Sequence, residues 1–249
     1  MAAPPLERVI PRAELRSGIE FAGRDVRALH DDPAGNPAQL WIDQGRQHWA
    51  RPAQAPGSKT PGPACRDCHG EPASMRGVSV AYPKVHPLTG QLFNLEDQIR
   101  HCSVQQQGLP APAHESDELL GLALLITQAS RGLPLRVNVT PALEPHLRAG
   151  EAIFQRRQGQ LNLACGHCHD RHWGQRLHTD PLSQGHPNSH PVYRLEWQKP
   201  GSLERRLRSC FFGVRAEIPP WGILGMRQLS LYLAWRAEGL PVEVPAVRK

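Results

Sequence analysis

The chain has 249 residues and a net charge of +6, with 39% hydrophobic residues and with 25 prolines and 22 glycines, together nearly a fifth of it. That length allows one large domain or two modest ones, and the composition argues for few helices, long irregular connections and a core that a large prosthetic group would help to fill. No Lys/Arg-rich block or reader motif supports a nucleic-acid partner, and no apolar run is long enough to span a bilayer.

The opening "MAAPPLERVI" shows no basic stretch followed by an apolar one, so no secretory leader is expected here; an exported protein would have lost it. The first chemical motif is "CRDCH" (65–69), and a second, "CGHCH", stands at 165–169. Both are C-x-x-C-H, the signature of covalent c-type haem attachment. Two thiols at that spacing can each add to one vinyl group of a haem, and the adjoining histidine supplies the proximal ligand. Zinc would need four ligands drawn from pairs 100 residues apart, and neither zinc nor a redox disulfide requires the adjoining histidine. The expectation is therefore two covalent haems, on Cys65 and Cys68 and on Cys165 and Cys168. Such attachment occurs outside the cytoplasm in bacteria, which places the chain in the periplasm.

Each motif is followed by one solitary cysteine. "LEDQIRHC" (95–102) ends in Cys102 and "LERRLRSC" (203–210) in Cys210, with Leu, Glu, an aliphatic residue, Arg and Cys in register. Farther on, "ELLGLALLITQASRGLPLRV" (118–137) parallels "GMRQLSLYLAWRAEGLPVEV" (225–244), both ending past a Gly-Leu-Pro. Such self-similarity reads as a tandem repeat. The expected fold is mostly α: two tandem cytochrome-c-like domains, 1–140 and 141–249, with long loops wrapping the haems. The boundary falls near "NVTPALEP" (138–145). Each domain should hold a helix before its motif, "HLRAGEAIFQRRQ" (146–158) in the second. A Pro/Gly-rich loop such as "HTDPLSQGHPNSHP" (178–191), a short helix carrying the lone cysteine and an apolar closing helix should follow. The stretch 118–128 reads as a buried amphipathic helix. In its counterpart Met226, Leu229, Leu233 and Trp235 or Arg236 fall near helical spacing, as core.

Methionine is the usual distal ligand of an electron-carrying cytochrome c. Met1 is terminal, Met75 stands six residues past His69, and Met226 has no counterpart in the first half. His86 and His186 remain alternatives, yet the one potential ligand repeated in register is cysteine. The expected axial pairs are His69 with Cys102 and His169 with Cys210. A buried free cysteine or a Cys102–Cys210 disulfide is the competing reading.

With these motifs in hand, the sequence resembles the A-subunit family of the SoxAX cytochromes, the L-cysteine S-thiosulfotransferases of bacterial sulfur oxidation, in its dihaem form. The resemblance runs over nearly the whole chain, most specifically at "QGHPNSHPVYRLEWQ" (184–198), "SLERRLRSCFFGVRAE" (202–217), "YLAWRAEGLPVEVPAVR" (232–248) and "SRGLPLRV" (130–137). It implies the same axial pairs. It also implies a catalytic Cys210, often carrying an extra sulfur as a persulfide, with Arg206 beside it. The implied reaction joins thiosulfate oxidatively to a cysteine of the SoxYZ carrier, with electrons leaving through haem to the single-haem SoxX subunit of a heterodimer and then to a downstream cytochrome. If 203–210 is helical, Arg206 lies at i−4 from Cys210, where it favours thiolate and can bind a small anion by its fork. Arg205 and Arg208 are expected on a solvated face, and Arg215 lies farther on. The alternatives are a thiosulfate dehydrogenase forming tetrathionate and a plain dihaem electron carrier.

Overall fold

Both C-x-x-C-H motifs wind into short five-residue helices set between longer ones, in a computed structural model that describes residues 6–249. Met1 and the first residues of the opening segment lie outside the described residues. The first half contributes α1 (Arg24–Asp31), α2 (Ala38–Ala50), α3 (Cys65–His69), a hairpin of β1 (Lys84–Val85) and β2 (Leu92–Phe93), α4 (Leu95–Gln105) and α5 (Asp117–Gln128). The second contributes α6 (Glu144–Gln155), α7 (Cys165–His169), a small hairpin of β3 (Arg176–Leu177) and β4 (Asp180–Pro181), then β5 (Val192–Arg194), β6 (Lys199–Gly201), α8 (Leu203–Gly213), α9 (Leu224–Arg236) and β7 (Val247–Arg248). The fold is mostly α, as the sequence implies.

The repeat is visible in backbone register. A shift of 108 residues carries the β1–β2 pair Lys84↔Phe93 onto the β5–β6 pair Val192↔Gly201, and α4 onto α8. The parallel strand β7 then joins β5 in the second sheet alone. In each half a first long helix crosses the last one through a glycine. A Cβ on Gly45 of α2 would strike the Gly121 carbonyl of α5, and one on Gly150 of α6 would strike the Gln228 carbonyl of α9. Glycine at those points lets the helix backbones touch.

The helix α5 is more deeply set than an amphipathic pattern implies, with every residue from Leu119 to Thr127 buried. In α9 the same holds from Leu229 to Arg236. A helix covered on all sides needs no polar stripe, and here the second cover is the other half of the molecule. The core around α5 takes in Ala237, Val242 and Val244, and the core around α9 takes in Leu92 and Val137. The two Gly-Leu-Pro segments pair antiparallel across the junction. Gly132 N–H donates to the Val242 carbonyl, Val242 N–H to Leu133 and Leu135 N–H to Leu240, each at 2.9 Å. No helix among the described residues is long and apolar enough to cross a membrane.

Equivalent residues of both halves, Tyr82 and His190, Asn94 and Ser202, Glu96 and Glu204, also line a cavity of about 110 Å³ at this junction. The N-termini of α4 and α8 meet there, and their caps differ. The Asn94 side chain accepts from Asp97 N–H (2.7 Å) while the Asp97 carboxylate accepts from Asn94 N–H (3.0 Å), a reciprocal capping box. In α8 the Ser202 hydroxyl accepts from Arg205 N–H (3.1 Å), but arginine cannot return the bond. Glu115 of the first half takes over, accepting from Ser202 N–H at 3.3 Å and pairing with Arg205 at 3.8 Å.

Candidate functional site

The second C-x-x-C-H motif is held from beneath by the loop before β5. His169 Nδ1 lies 2.8 Å from the Ser183 carbonyl. A carbonyl oxygen only accepts, so Nδ1 carries the proton and Nε2 is left as the ligating nitrogen. Gly185 (φ +72°) stands against the ring, and a Cβ there would come within 3.0 Å of it. Next along the loop, fully buried Gln184 pins the N-terminal segment, accepting from Arg16 N–H (2.7 Å) and donating to the Glu14 carbonyl (2.9 Å). Arg236 of α9 donates to the Gln184 carbonyl (3.0 Å) and forms a buried ion pair with Asp170, the residue after His169. The proximal histidine is thus fixed from several elements at once.

Cys210, on α8, faces that histidine. Burial pushes its thiol up, but Arg206, then the His169 ring and then Arg194 outweigh burial and bring it down to about 7. Cys165 moves oppositely: burial first, then Cys210, push it up to about 11. Cys168 is raised by the same two causes. A thiol near 7 is substantially thiolate at neutral pH, the form that ligates metals and attacks as a nucleophile.

In the first half Cys102 sits on α4 with the Gln98 side-chain amide donating to its sulfur at 3.2 Å. Burial and then Cys102 raise the Cys65 thiol, and the same two causes push Tyr82 up to about 12. Cys65 and Tyr82 pack against the same core, within the electrostatic reach of Cys102. His69 is exposed, its ring 5.7 Å from that of Trp49, whose indole N–H donates to the Gly70 carbonyl (2.9 Å).

The competing ligands have contacts of their own. His86 packs with Phe93 and His101, ring centroids 4.7 Å from each, and His186 Nε2 lies 3.0 Å from Gln184 Oε1. Met75 packs against the first core and Met226 lies within the second. All six cysteines are free, so Cys102 and Cys210 form no disulfide. Among the described residues no three His, Cys, Asp or Glu side chains gather as a metal-ion cluster. The donor sets instead fit c-type haem: paired thiols on one helical turn, a histidine with a fixed tautomer and, in the second half, a thiolate opposite it.

Of the arginines singled out in the sequence, Arg206 lies on the Cys210 face of α8, and its guanidinium has no hydrogen-bond or ion-pair partner among the described residues. Arg205 and Arg208 depart from the expected solvated face. Arg205 stacks 4.2 Å over Trp197 besides pairing with Glu115, and Arg208 lies 4.2 Å over Trp221. The other face of α8 is covered by loops, so both stems are half-buried. Arg215 is exposed with φ +57°, and its carbonyl accepts from Gln160 N–H (3.1 Å), so it shapes the loop next to the motif. Arg194 is the residue that sequence reading missed. It lies inside a stretch marked for family resemblance, but its charge reaches Cys210 only through the folding of the β5–β6 hairpin ahead of α8.

Two C-x-x-C-H turns, each cradled by crossing helices, define a c-type cytochrome. A SoxA/TsdA cytochrome c domain model matches residues 44–135. The L-cysteine S-thiosulfotransferase subunit SoxA of Paracoccus pantotrophus is 32% identical over 99% of this chain and 83% of its own length. The same subunit of Rhodovulum sulfidophilum is 33% identical over 94% and 80%. The crystal structure of SoxXA from P. pantotrophus contains a chain with TM-score 0.88 and 33% identity, covering 94% of this chain and 86% of that one. The chain belongs to the SoxA family.

Proposed function

We propose that the chain is the sulfur-activating subunit of an L-cysteine S-thiosulfotransferase, with Cys210 as its reactive centre. What supports this reading is that Arg206 lies one turn before Cys210 on α8 and, with His169, lowers its thiol to about 7. The overall change is RSH + S₂O₃²⁻ → RS–SSO₃⁻ + H⁺ + 2e⁻, with RSH a cysteine of the SoxYZ carrier. One S–S bond forms, the carrier thiol gives up a proton, and two electrons leave. Two haems would be held by Cys65, Cys68, His69 and Cys102 in the half 1–140, and by Cys165, Cys168, His169 and Cys210 in the half 141–249. When bound, haem supplies the one-electron acceptors from which those electrons pass to a SoxX partner and a downstream cytochrome.

The chain's own residues do the rest. Ser183 and Gly185 fix the His169 ring, and Arg206 favours a charged sulfur at Cys210, as thiolate or persulfide, and draws an anionic substrate toward it. The half-buried setting of Cys210 limits water and strengthens each of these charge interactions. The export implied by haem attachment puts the reaction in the periplasm.

Replacing Cys210 by Ala tests the reading. Both haem additions should persist in the protein mass, while thiosulfate transfer to the carrier falls on the order of 10³-fold or more. Unchanged turnover would sink it. Tetrathionate as the main product, made without the carrier, would favour the dehydrogenase.

A further inference from the structure

The second sheet has a strand that the first lacks. β7 runs parallel to β5, where Tyr193 N–H donates to the Ala246 carbonyl and Leu195 N–H to the Arg248 carbonyl, each at 2.9 Å. The 108-residue shift that carries β1 onto β5 puts Val85 at the place of Tyr193. His86 N–H donates to the Gln91 carbonyl at 2.8 Å, and hydrogen-bonded pairs alternate along an antiparallel ladder. The Lys84↔Phe93 pair is therefore bonded, and Val85 turns its N–H and C=O away from β2. No strand takes that outer edge among the described residues.

The segment that would fill the edge goes elsewhere. "RVNVTP" (136–141) stands where the second half has "EVPAVR" (243–248), at a shift of 107 residues. Both segments start alike: Arg136 N–H donates to the Val80 carbonyl at 3.3 Å, and Glu243 N–H to the Asn188 carbonyl at 3.0 Å. They then part. Ala246 to Arg248 continue along β5, whereas Thr140 leads into α6, its carbonyl accepting from Leu143 and Glu144 N–H. The divergence leaves a groove of about 650 Å³ between the β1 edge and residues 133–143. Cys65, Cys68, His69 and Cys102 do not line it, and polypeptide fills the equivalent place in the second half. It is therefore distinct from the crevice where the first haem would lie.

The groove has an apolar floor and a basic rim. Val80, Pro83, Val85, Leu133 and Leu143 form the floor, and no acidic residue is in the lining. Lys84 and Arg136 on the rim are exposed. Lys84 lies 4.6 Å over the Tyr82 ring, and neither cation has an ion-pair partner among the described residues. In the second half the place of Arg136 is taken by Glu243, which pairs with Arg248 of the filling strand. There the strand answers a carboxylate with an arginine. With the sign reversed at Arg136, a strand in the open groove would answer it with a carboxylate.

We propose that this groove docks an extended, acidic segment of a partner protein, which adds to the sheet as a strand parallel to β1. The backbone of Val85 bonds the incoming strand, the floor takes its alternate side chains, and Lys84 and Arg136 take its carboxylates. Pro87 stands where Leu195 donates and has no N–H to give, so the added strand bonds at Val85 and no farther along. Charge and apolar contact then carry most of the affinity. The assignment is independent of the chemistry at Cys210.

The test uses the haem-loaded full chain and a blocked peptide of alternating valine and glutamate, with a valine–lysine peptide as control. Calorimetry should show the acidic peptide binding about tenfold or more tightly than the control. In hydrogen exchange read by mass spectrometry, the Val85 amide should exchange freely in the chain alone and slow when the acidic peptide is added. A Lys84→Glu, Arg136→Glu double variant should raise Kd by about tenfold or more, since two exposed ion pairs become repulsions. Val85→Pro removes the edge donor and should weaken binding too, the charge variant serving if it folds poorly. Absence of binding, equal binding of the two peptides, or binding that leaves Val85 exchange unchanged overturns the proposal. So does a Val85 amide already slowed by concentration-dependent dimerisation, which would give the edge to a second copy of the chain.

Discussion

The helices α4 and α8 are two solutions to one design problem. Both are eleven residues long, begin at a side-chain cap and carry one cysteine at the same position. In α4 the residue one turn before the cysteine is Gln98, a neutral amide that donates to sulfur at 3.2 Å. In α8 it is Arg206, a charge with no protein partner among the described residues. A neutral donor steadies a ligand without attracting an anion, whereas a free guanidinium does both. The change at the preceding position has a different consequence. Asp97 closes its own cap and binds Arg227 of the second half at 2.6 and 2.8 Å, while Arg205 reaches back to Glu115 of the first. The Gln98/Arg206 exchange thus sets the charge beside each cysteine, and its neighbour stitches the halves together with opposite signs.

The largest expected effect follows from making α8 resemble α4. Arg206→Gln should lower kcat/KM for thiosulfate on the order of 10²-fold, the scale of losing one charge-stabilising donor at a reacting centre. Steady-state kinetics with unchanged haem content checks this. The reciprocal Gln98→Arg should not make Cys102 reactive, because His69 is exposed and lacks the contacts by which Ser183 and Gly185 fix His169. Thiosulfate-dependent turnover in a Gln98→Arg, Cys210→Ala double variant would break the comparison.

A smaller effect concerns the stitching. The Asp97 carboxylate is 9% exposed and its Arg227 partner 20%, so Asp97→Ala strands a mostly buried cation and opens the α4 cap. Denaturant unfolding should show a loss of about 3 kcal/mol. Glu115→Ala removes the borrowed cap of α8 and should cost about 1 kcal/mol. Equal losses in the two variants would mean that the reversed pairs are equivalent after all.

The smallest effect separates Glu96 from Glu204, equivalent residues at the junction cavity. Glu204 accepts from Gly222 N–H at 2.7 Å, whereas no such inter-element donor reaches Glu96 among the described residues. Burial, then the nearby Asp97, Glu115 and Glu204 carboxylates, push Glu96 up to about 7. Between the ordinary carboxylate range and 7, the folded chain keeps a proton that the unfolded chain releases. Stability therefore falls as pH rises through that window and is unaffected below it. Glu96→Gln should raise the Tm at pH 8 and leave it unchanged near pH 4. A parallel pair of Tm–pH curves for parent and variant would refute this.

How much of this was legible beforehand varies by residue. The C-x-x-C-H turns and both lone cysteines could be read directly, because their chemistry depends on spacing within a single helix or turn. Arg206 was legible for the same reason, since i−4 on a helix is a local relation. Arg205 and Arg208 were read as solvated because nothing in their neighbourhood of sequence announces Trp197 or Trp221 as covers. The all-round burial of α5 and α9 was missed too, since an apolar helix does not say how many neighbours it has.

The sequence by itself determined the c-type cytochrome class, the duplication, the cysteine-bearing helices and the one arginine in register with Cys210. These are short-range properties of helical periodicity and matched motifs. Only the tertiary structure decided that Arg205 and Arg208 are covered by tryptophans, that Glu115 caps the helix of the other half and that Glu96 lines the junction cavity. Each of those depends on which surfaces the fold buries against one another, and burial sets the strength of a charge far more than its position along the chain.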